Sequence, residues 1–433
     1  MSFQQGLSGL NTAAKALDIT SNNVANATTV GFKAASAHFG DAFANSLAGS
    51  GAAQVGIGAT VTAIPQSFNQ GNLTATNNPL DMAINGSGFF RMSNNGSITY
   101  TRNGQFHVDK SGYLVDDGAR RLTGYPALTD GTIVQSAAQD LVMSAAPQDP
   151  VATGASLGGS YQGAKAVMNL DSSKAPPALP WAPAAAPGIY SPPVTTYNYS
   201  TAMSIYDSLG AAHTMTLYMV KTATTGVWDV HVNIDGTADT NVTLTTPTLT
   251  FGTDGKLAAL PNGIVGVSID LDQVMTDLGN TNAAGSPLAF NIDFTNTTQF
   301  GVPFATTELQ QDGYTAGRLT GLNVAADGTI KGSYSNGQSR SLGQVVLANF
   351  ANPNGLTSLG GNQWIDTSES GSALVGAPSS GNLGALQSGG VEDSNVDLTA
   401  ELVNMITQQR NYQANAQSIK TQDQVLQTLV NLR

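Results

Sequence analysis

Apolar side chains recur in alternating steps of four and three along the last stretch of the chain. They stand at Leu398, Leu402, Met405, Tyr412, Ala416, Ile419, Leu426 and Val430, with Gln409 and Asp423 filling the two remaining turns. This is a heptad seam, the pattern of a helix that buries one stripe against other helices. The stretch 396–433 contains no Gly or Pro, and Ser394 with Asp397 three residues on marks its start. At about 1.5 Å per residue it predicts a helix of roughly 55 Å. Phe3, Leu7, Leu10, Ala14, Leu17 and Val24 repeat the rhythm at the other end, with Ser21 in the seam and a capping-box pattern at Ser2 and Gln5. A second helix is therefore expected to about Ala27. An ordinary amphipathic helix on its own domain is the competing reading of that segment. Isolated helices are marginal, however, and two seams at opposite ends of one chain predict pairing with each other and with other subunits.

Between the ends the period changes. From 28 to 70 the chain is rich in Gly and Ala, with Phe32, Phe39, Phe43 and Phe68 spaced along it, which predicts an extended arm with aromatic anchors. After Gly71 short alternating runs are cut by Asn85-Gly86, Asn95-Gly96, Asn103-Gly104 and Asp117-Gly118, signals of tight hairpins. The same texture returns at Asp312-Gly313, Asp327-Gly328 and Asn336-Gly337. A Pro-rich run, 175–193, lies inside a different piece with clean alternation. Met215, Leu217 and Met219 alternate with Thr214, Thr216 and Tyr218, and Trp228, Val230, Val232 and Ile234 alternate with Asp229, His231 and Asn233. The expected fold class is multidomain and mainly β with long terminal α-helices. Its layout is nested: an inner, coiled-coil-like helical domain (1–27 and 394–433), an extended arm and linker (28–70 and 371–393), a discontinuous middle β domain (71–147 and 315–370) and an inserted outer β domain (148–314).

Composition narrows the function. Charged residues are 11% of the chain, 17 basic against 29 acidic for a formal charge of −12, with no basic patch, which argues against nucleic acid. Cysteine is absent, excluding disulfides, thiolate metal sites and Cys nucleophiles. The N-terminus lacks the basic and apolar regions of a secretory signal, and no window approaches the roughly 18 apolar residues of a membrane span. A soluble chain without membrane insertion, exported by some other route if at all, is expected.

Chemistry is sparse. His38, His107, His213 and His231 lie singly, and His213 and His231 read as solvated positions on the polar faces of strands. Gly154-Ala155-Ser156-Leu157-Gly158 fits a nucleophile elbow, but Pro147 and Pro150 before it and Gly159 after it deny it the strand and helix that motif needs. Asp270 and Asp272 lack the glycine of a calcium loop. No catalytic residue, cofactor or metal is expected. The polar face of the last helix is instead neutral and Gln-rich, which fits either a soluble helix of unusual composition or a face that meets polar surfaces in an assembly or lines a channel that does not hold a passing chain by charge; Gln413, Gln417 and Gln424 are the candidate lining.

Several runs are similar to one family. Asn22, Asn23 and Asn26 with Gly31, Phe32 and Lys33 form an N-terminal signature, followed by NPLDMAINGSGFF from Asn78, TRNGQFHVD from Thr101, LTGYPA from Leu122, QDGYTAGRL from Gln311 and SNGQSRSLGQVVLANF from Ser335. The run from Leu386 to the end completes the set. In these runs the chain resembles the bacterial flagellar hook proteins, of the rod and hook axial family; the central insertion matches poorly. The resemblance implies terminal helices forming an inner tube, a discontinuous middle β layer and an inserted outer domain. It implies a hollow, flexible helical polymer acting as a universal joint that transmits torque from rod to filament. It further implies passage through the flagellar type III export apparatus without a cleavable signal peptide, an extracellular place in the flagellum, and distal rod, hook cap and hook–filament junction proteins as partners. A distal rod protein is the nearest alternative. A secreted β-rich adhesive protein with an exposed Trp181, and an enzyme resting on Ser156, are the others.

Overall fold

In the computed structural model of the chain the described residues are 2–42, 56–144, 146–155, 162–182, 190–258, 263–281 and 284–431, and the side chains of Ser2 and of 429–431 lie outside that description. Among the described residues three α-helices, α1 (Ser2–Ala25), α2 (Leu271–Asp277) and α3 (Leu398–Asn431), accompany a majority of short strands. The chain is mainly β, with long helices at its two ends that pack on each other. It divides into two compact units, one made of 1–144, 321–333 and 339–433, the other of 145–320 and 334–338.

In the first unit the strands run Ser339–Val345, Arg121–Pro126, Phe89–Asn94, Ser97–Thr101, Gln363–Ile365 and Thr357–Gly360 across one sheet. Asn95 and Gly96 take φ of 51° and 93° at the two-residue turn joining Phe89–Asn94 to Ser97–Thr101, as the Asn-Gly signal predicts. Asn103-Gly104 makes no such turn. A Cβ on Gly104 would stand 1.6 Å from the carbonyl oxygen of Met82, so this glycine permits a close backbone crossing instead. Phe89, Tyr100, Phe350 and Trp364 form an aromatic core, which Phe68 joins edge-on at 5.4 Å from Phe89 and 5.6 Å from Trp364. Of the other aromatic anchors foreseen in the arm, Phe32 is buried, Phe39 is exposed and Phe43 lies outside the described residues.

The arm and the linker both carry strands. His38–Ala42 pairs with Gly58–Ala63, while Ala385–Ser388 pairs with Met82–Asn85 and Gly390–Glu392 with Leu73–Ala75. The linker strands, of three or four residues, are too short to display an alternating pattern, and the arm strands His38–Ala42 and Gly58–Ala63 are five and six residues of mostly small side chains, which is why composition suggested open chain there.

The second unit has one core shared by two sheets. The first sheet is Tyr199–Tyr206, Ala212–Lys221, Val227–Ile234 and Thr248–Thr250; the second is Val242–Thr245, Ile264–Ile269, Leu288–Asp293, Gly163–Asn169 and Ala305–Gln311. Met215, Leu217, Met219, Trp228, Val230 and Ile234 face inward, opposite Ala166, Met168, Val265, Val267 and Ile292. His213 is a correction to the sequence reading. It shares the inward parity of Met215 and is 3% exposed, because the two-residue period of a strand puts 213, 215 and 217 on one face. His231 and Trp181 are half-buried and stack on each other at 4.2 Å, and Trp181 donates its Nε1 proton to Asp239 at 2.9 Å. Neither is a bare surface group. Ser156 lies outside the described residues; Asp270 serves as the N-cap of α2, accepting from the amide of Gln273.

Candidate functional site

The two ends of the chain meet through small residues. On α1 the buried line is Gly6, Ala13, Ala16, Thr20 and Asn23. A Cβ on Gly6 would stand 3.0 Å from Cγ1 of Ile419, and one on Gly9 would stand 2.8 Å from Oδ1 of Asn415, so these glycines set the closeness of the helices. On α3 the half-shielded positions are Glu401, Met405, Gln408, Asn415, Ala416, Ile419 and Gln422. Asp397 caps this helix, its Oδ1 accepting from the amides of Thr399 at 2.9 Å and Ala400 at 3.1 Å. The cap thus falls three residues beyond the Ser394 suggested by the sequence, and Gln5 donates to the carbonyl of Gly56 at 2.6 Å.

The heptad residues are divided by this arrangement. Leu10, Ala14, Leu17 and Val24 on α1 are half-buried beside the contact, and on α3 Met405, Ala416 and Ile419 are half-buried, with Ile419 facing Gly6 within it. Phe3, Leu7, Leu398, Leu402, Tyr412 and Leu426 are exposed, and the side chain of Val430 is not described. Val403, Ile406 and Val425 are exposed as well. Ala14, Leu17, Asp18, Gln409, Tyr412 and Gln413 line an open cleft of about 300 Å³ between the helices. The single chain therefore pairs its helices along the line of small side chains next to the seam and leaves much of the seam uncovered. Gln413, Gln417 and Gln424 are exposed.

The strand pair that follows α1 is fastened to it. The Ala59 amide donates to Ser8 Oγ at 3.2 Å, and a Cβ on Gly58 would come within 1.9 Å of that oxygen. The signature residues then turn the chain into the β domain. Asn26 donates to the side chain and carbonyl of Asn22, closing the exposed side of the turn. Asn23 is 1% exposed; its Oδ1 accepts from the Ala35 amide at 3.0 Å, and its Nδ2 donates to the Ala35 carbonyl at 2.8 Å and to Glu401 at 3.3 Å. Gly31 has φ of +72°, and a Cβ there would lie 2.6 Å from the amide of Asn103, so both conformation and space require glycine.

Lys33 ends in a buried ion cluster that no local sequence rule exposes. Its Nζ donates to Glu392 Oε1 at 2.6 Å and to the carbonyl of Asn69 at 2.7 Å. Arg102 donates to the other oxygen of Glu392 at 3.0 Å and to the carbonyl of Gly86 at 3.0 Å. The Gly71 amide donates to Glu392 Oε1 at 2.9 Å, and the Gly31 amide to the Glu392 carbonyl at 2.7 Å. Burial pushes both cations below their usual pKa ranges, and the Glu392 carboxylate opposes that shift in each. Asn395 adds a second tie, accepting from the Ala34 amide at 2.8 Å and donating to the carbonyl of Ser67 at 2.8 Å. Glu392, Arg102 and Asn395 all lie inside runs that carry the family resemblance. Their partnerships span up to 361 residues, so only the fold reveals them.

Paired ends, a fastened arm, a locked junction and an uncovered apolar stripe characterise the terminal segments of the chain. Four family models match in chain order. They are the flagella basal body rod protein (3–33), the flagellar hook protein FlgE/F/G D1 domain (83–145), the flagellar basal body protein FlaE D2 domain (169–314) and the flagellar basal body rod FlgEFG protein C-terminal region (387–432). The chain is 42% identical to the flagellar hook protein FlgE of Escherichia coli (strain K12) over 441 residues and to that of Salmonella typhimurium over 438, each alignment covering 100% of both chains. It is 32% identical to the hook protein of Borreliella burgdorferi over 463 residues, covering 100% of this chain and 99% of that one. The chain belongs to the flagellar hook protein family and is a structural subunit of the hook. The distal rod and adhesive alternatives are not favoured. Among the described residues no helix is long and apolar enough to cross a membrane.

Proposed function

We propose that the chain polymerises through the uncovered parts of its two helical seams, with α1 and α3 of each subunit paired internally along the small-residue line. The supporting observation is the exposure of Phe3, Leu7, Leu398, Leu402, Tyr412 and Leu426 on helices already paired with each other. Large apolar side chains left in water on a long helix gain stability once neighbouring helices cover them. Contacts that join different faces of successive copies generate a helical tube when their rotation does not close into a ring. In this reading the layers are 1–27 with 394–433 inside, 71–147 with 315–370 in the middle and 148–314 outside, joined by 28–70 and 371–393. The tube is hollow and flexible, transmits torque from rod to filament as a universal joint, and lies outside the cell.

Its subunits pass through the flagellar type III apparatus, and meet the distal rod, hook cap and hook–filament junction proteins. No catalysis is assigned to it. Replacing Leu402 and Leu426 together with Asp is expected to leave the thermal unfolding of both β units unchanged while abolishing polymer, as read by sedimentation and electron microscopy. Normal polymers from that variant would contradict the seam assignment. Gln413, Gln417 and Gln424 line the lumen in this reading. Lys at all three positions is expected to reduce filament export through the finished hook, measured as filament length, and unchanged filaments would remove the lumen assignment.

A further inference from the structure

In the second unit the imidazole of His213 is buried between two carboxylates. Nδ1 is 2.7 Å from Asp235 Oδ2, whereas Nε2 stands 3.6 Å from Asp207 Oδ2 and is buried without a hydrogen-bond partner. An ionised carboxylate only accepts, so Nδ1 carries the proton of the neutral ring and Nε2 turns a lone pair toward Asp207. A second proton makes Nε2 a donor aimed at that carboxylate.

Both carboxylates also hold backbone amides. Asp207 Oδ1 accepts from the amides of Leu209 at 2.9 Å and Ala211 at 2.8 Å, and the Asp207 carbonyl accepts from Gly210 at 3.1 Å. Asp235 Oδ1 accepts from the amide of Thr214 at 2.7 Å. The 207–211 turn is also fitted closely to its surroundings. A Cβ on Gly210 would stand 2.7 Å from Pro150 Cβ and 3.2 Å from Thr315 Cα. Those residues belong to the two chain passages at which this unit begins and ends, where Gln148 bridges Gly317 and Val151 bridges Tyr314.

We propose that His213 is a proton-operated latch: the doubly protonated ring bridges Asp207 and Asp235 and holds the 207–211 turn against the passages at 148–151 and 314–317, and loss of one proton frees the turn. Asp235 and Asp207 are the charged groups that face the ring among the described residues. The hydrogen bond to Asp235, with the charges of Asp235 and Asp207, outweighs burial and raises the pKa of His213 above its ordinary value of 6.5. A raised folded-state pKa means that the stabilisation is fully present below about pH 6.5 and is lost as pH rises through the folded-state value.

The test uses the full chain. Histidine Cε1 resonances are followed by NMR from about pH 5 to 9, with His213→Gln assigning the signal, while hydrogen exchange is measured at 207–214 and corrected for intrinsic rates. His213 is expected to titrate above 6.5. Protection of 207–214 should fall about tenfold for each pH unit by which its pKa exceeds the unfolded value, and His213→Gln should flatten that dependence. Titration at or below 6.5, or protection that ignores the titration, overturns the latch. Should His213→Gln fail to fold, both wild-type measurements still decide, with the remaining three histidines assigned by their own variants.

Discussion

Glu392→Ala is expected to destabilise the first unit by about 3–5 kcal/mol and leave the second unit's unfolding transition in place. The variant strands two cations. Lys33 and Arg102 have side chains 0% and 3% exposed, and Glu392 supplies the carboxylate that both reach. The Gly71 amide loses an acceptor in the same step. Removing one partner of a buried cluster costs far more than the cluster's net contribution, because the remaining charges stay out of water. Glu392→Gln, which keeps an acceptor but not the charge, should fall between the two. Differential scanning calorimetry with limited proteolysis reads the result. The first-unit transition should drop and cleavage should appear near the junction of 28–36 with 390–397; a Glu392→Ala chain melting like the wild type would show that the cluster does not secure this junction.

The helices were legible because their period is long and uninterrupted: α3 runs for 34 residues on a strict alternation of four and three. The strands around Met215 and Trp228 were legible for the same reason at a period of two. Legibility ended where the determinant was not periodic. The seam marks which α-helical residues are large and apolar, yet the contact within one chain follows Gly6, Gly9, Ala13 and Ala16, whose merit is the smallness of their side chains or the lack of one. Hydropathy does not score that property. The signature at Asn22 to Lys33 was recognisable as a motif, but its physical reason, a buried lysine meeting a glutamate from the other end of the chain, depends on strands of three and four residues that leave no pattern. His213 was misplaced because it is polar, although its parity with Met215 pointed inward.

Ile419→Pro is expected to abolish hook assembly altogether. Ile419 is the α3 side chain nearest Gly6, one turn beyond the Asn415 that faces Gly9. Proline there removes the amide that bonds the carbonyl of residue 415, and its ring collides with that carbonyl, at a cost of about 3 kcal/mol or more before any lost packing. The break falls toward the far end of the helix contact, opposite Gly6 near the start of α1, so it disrupts the last turns of the internal pairing and displaces Leu426 and the rest of the outward stripe from register with a neighbour. Met405→Pro should act alike nearer the cap. Neither change touches a strand, and the β units should keep their circular dichroism and unfolding transitions.

The most direct measurement is electron microscopy of flagellar basal bodies from cells whose only hook subunit carries Ile419→Pro. If the paired terminal helices are the polymerising device, rods end without hooks or filaments while the purified variant retains folded β units. Hooks of normal length and curvature on those rods would contradict the account.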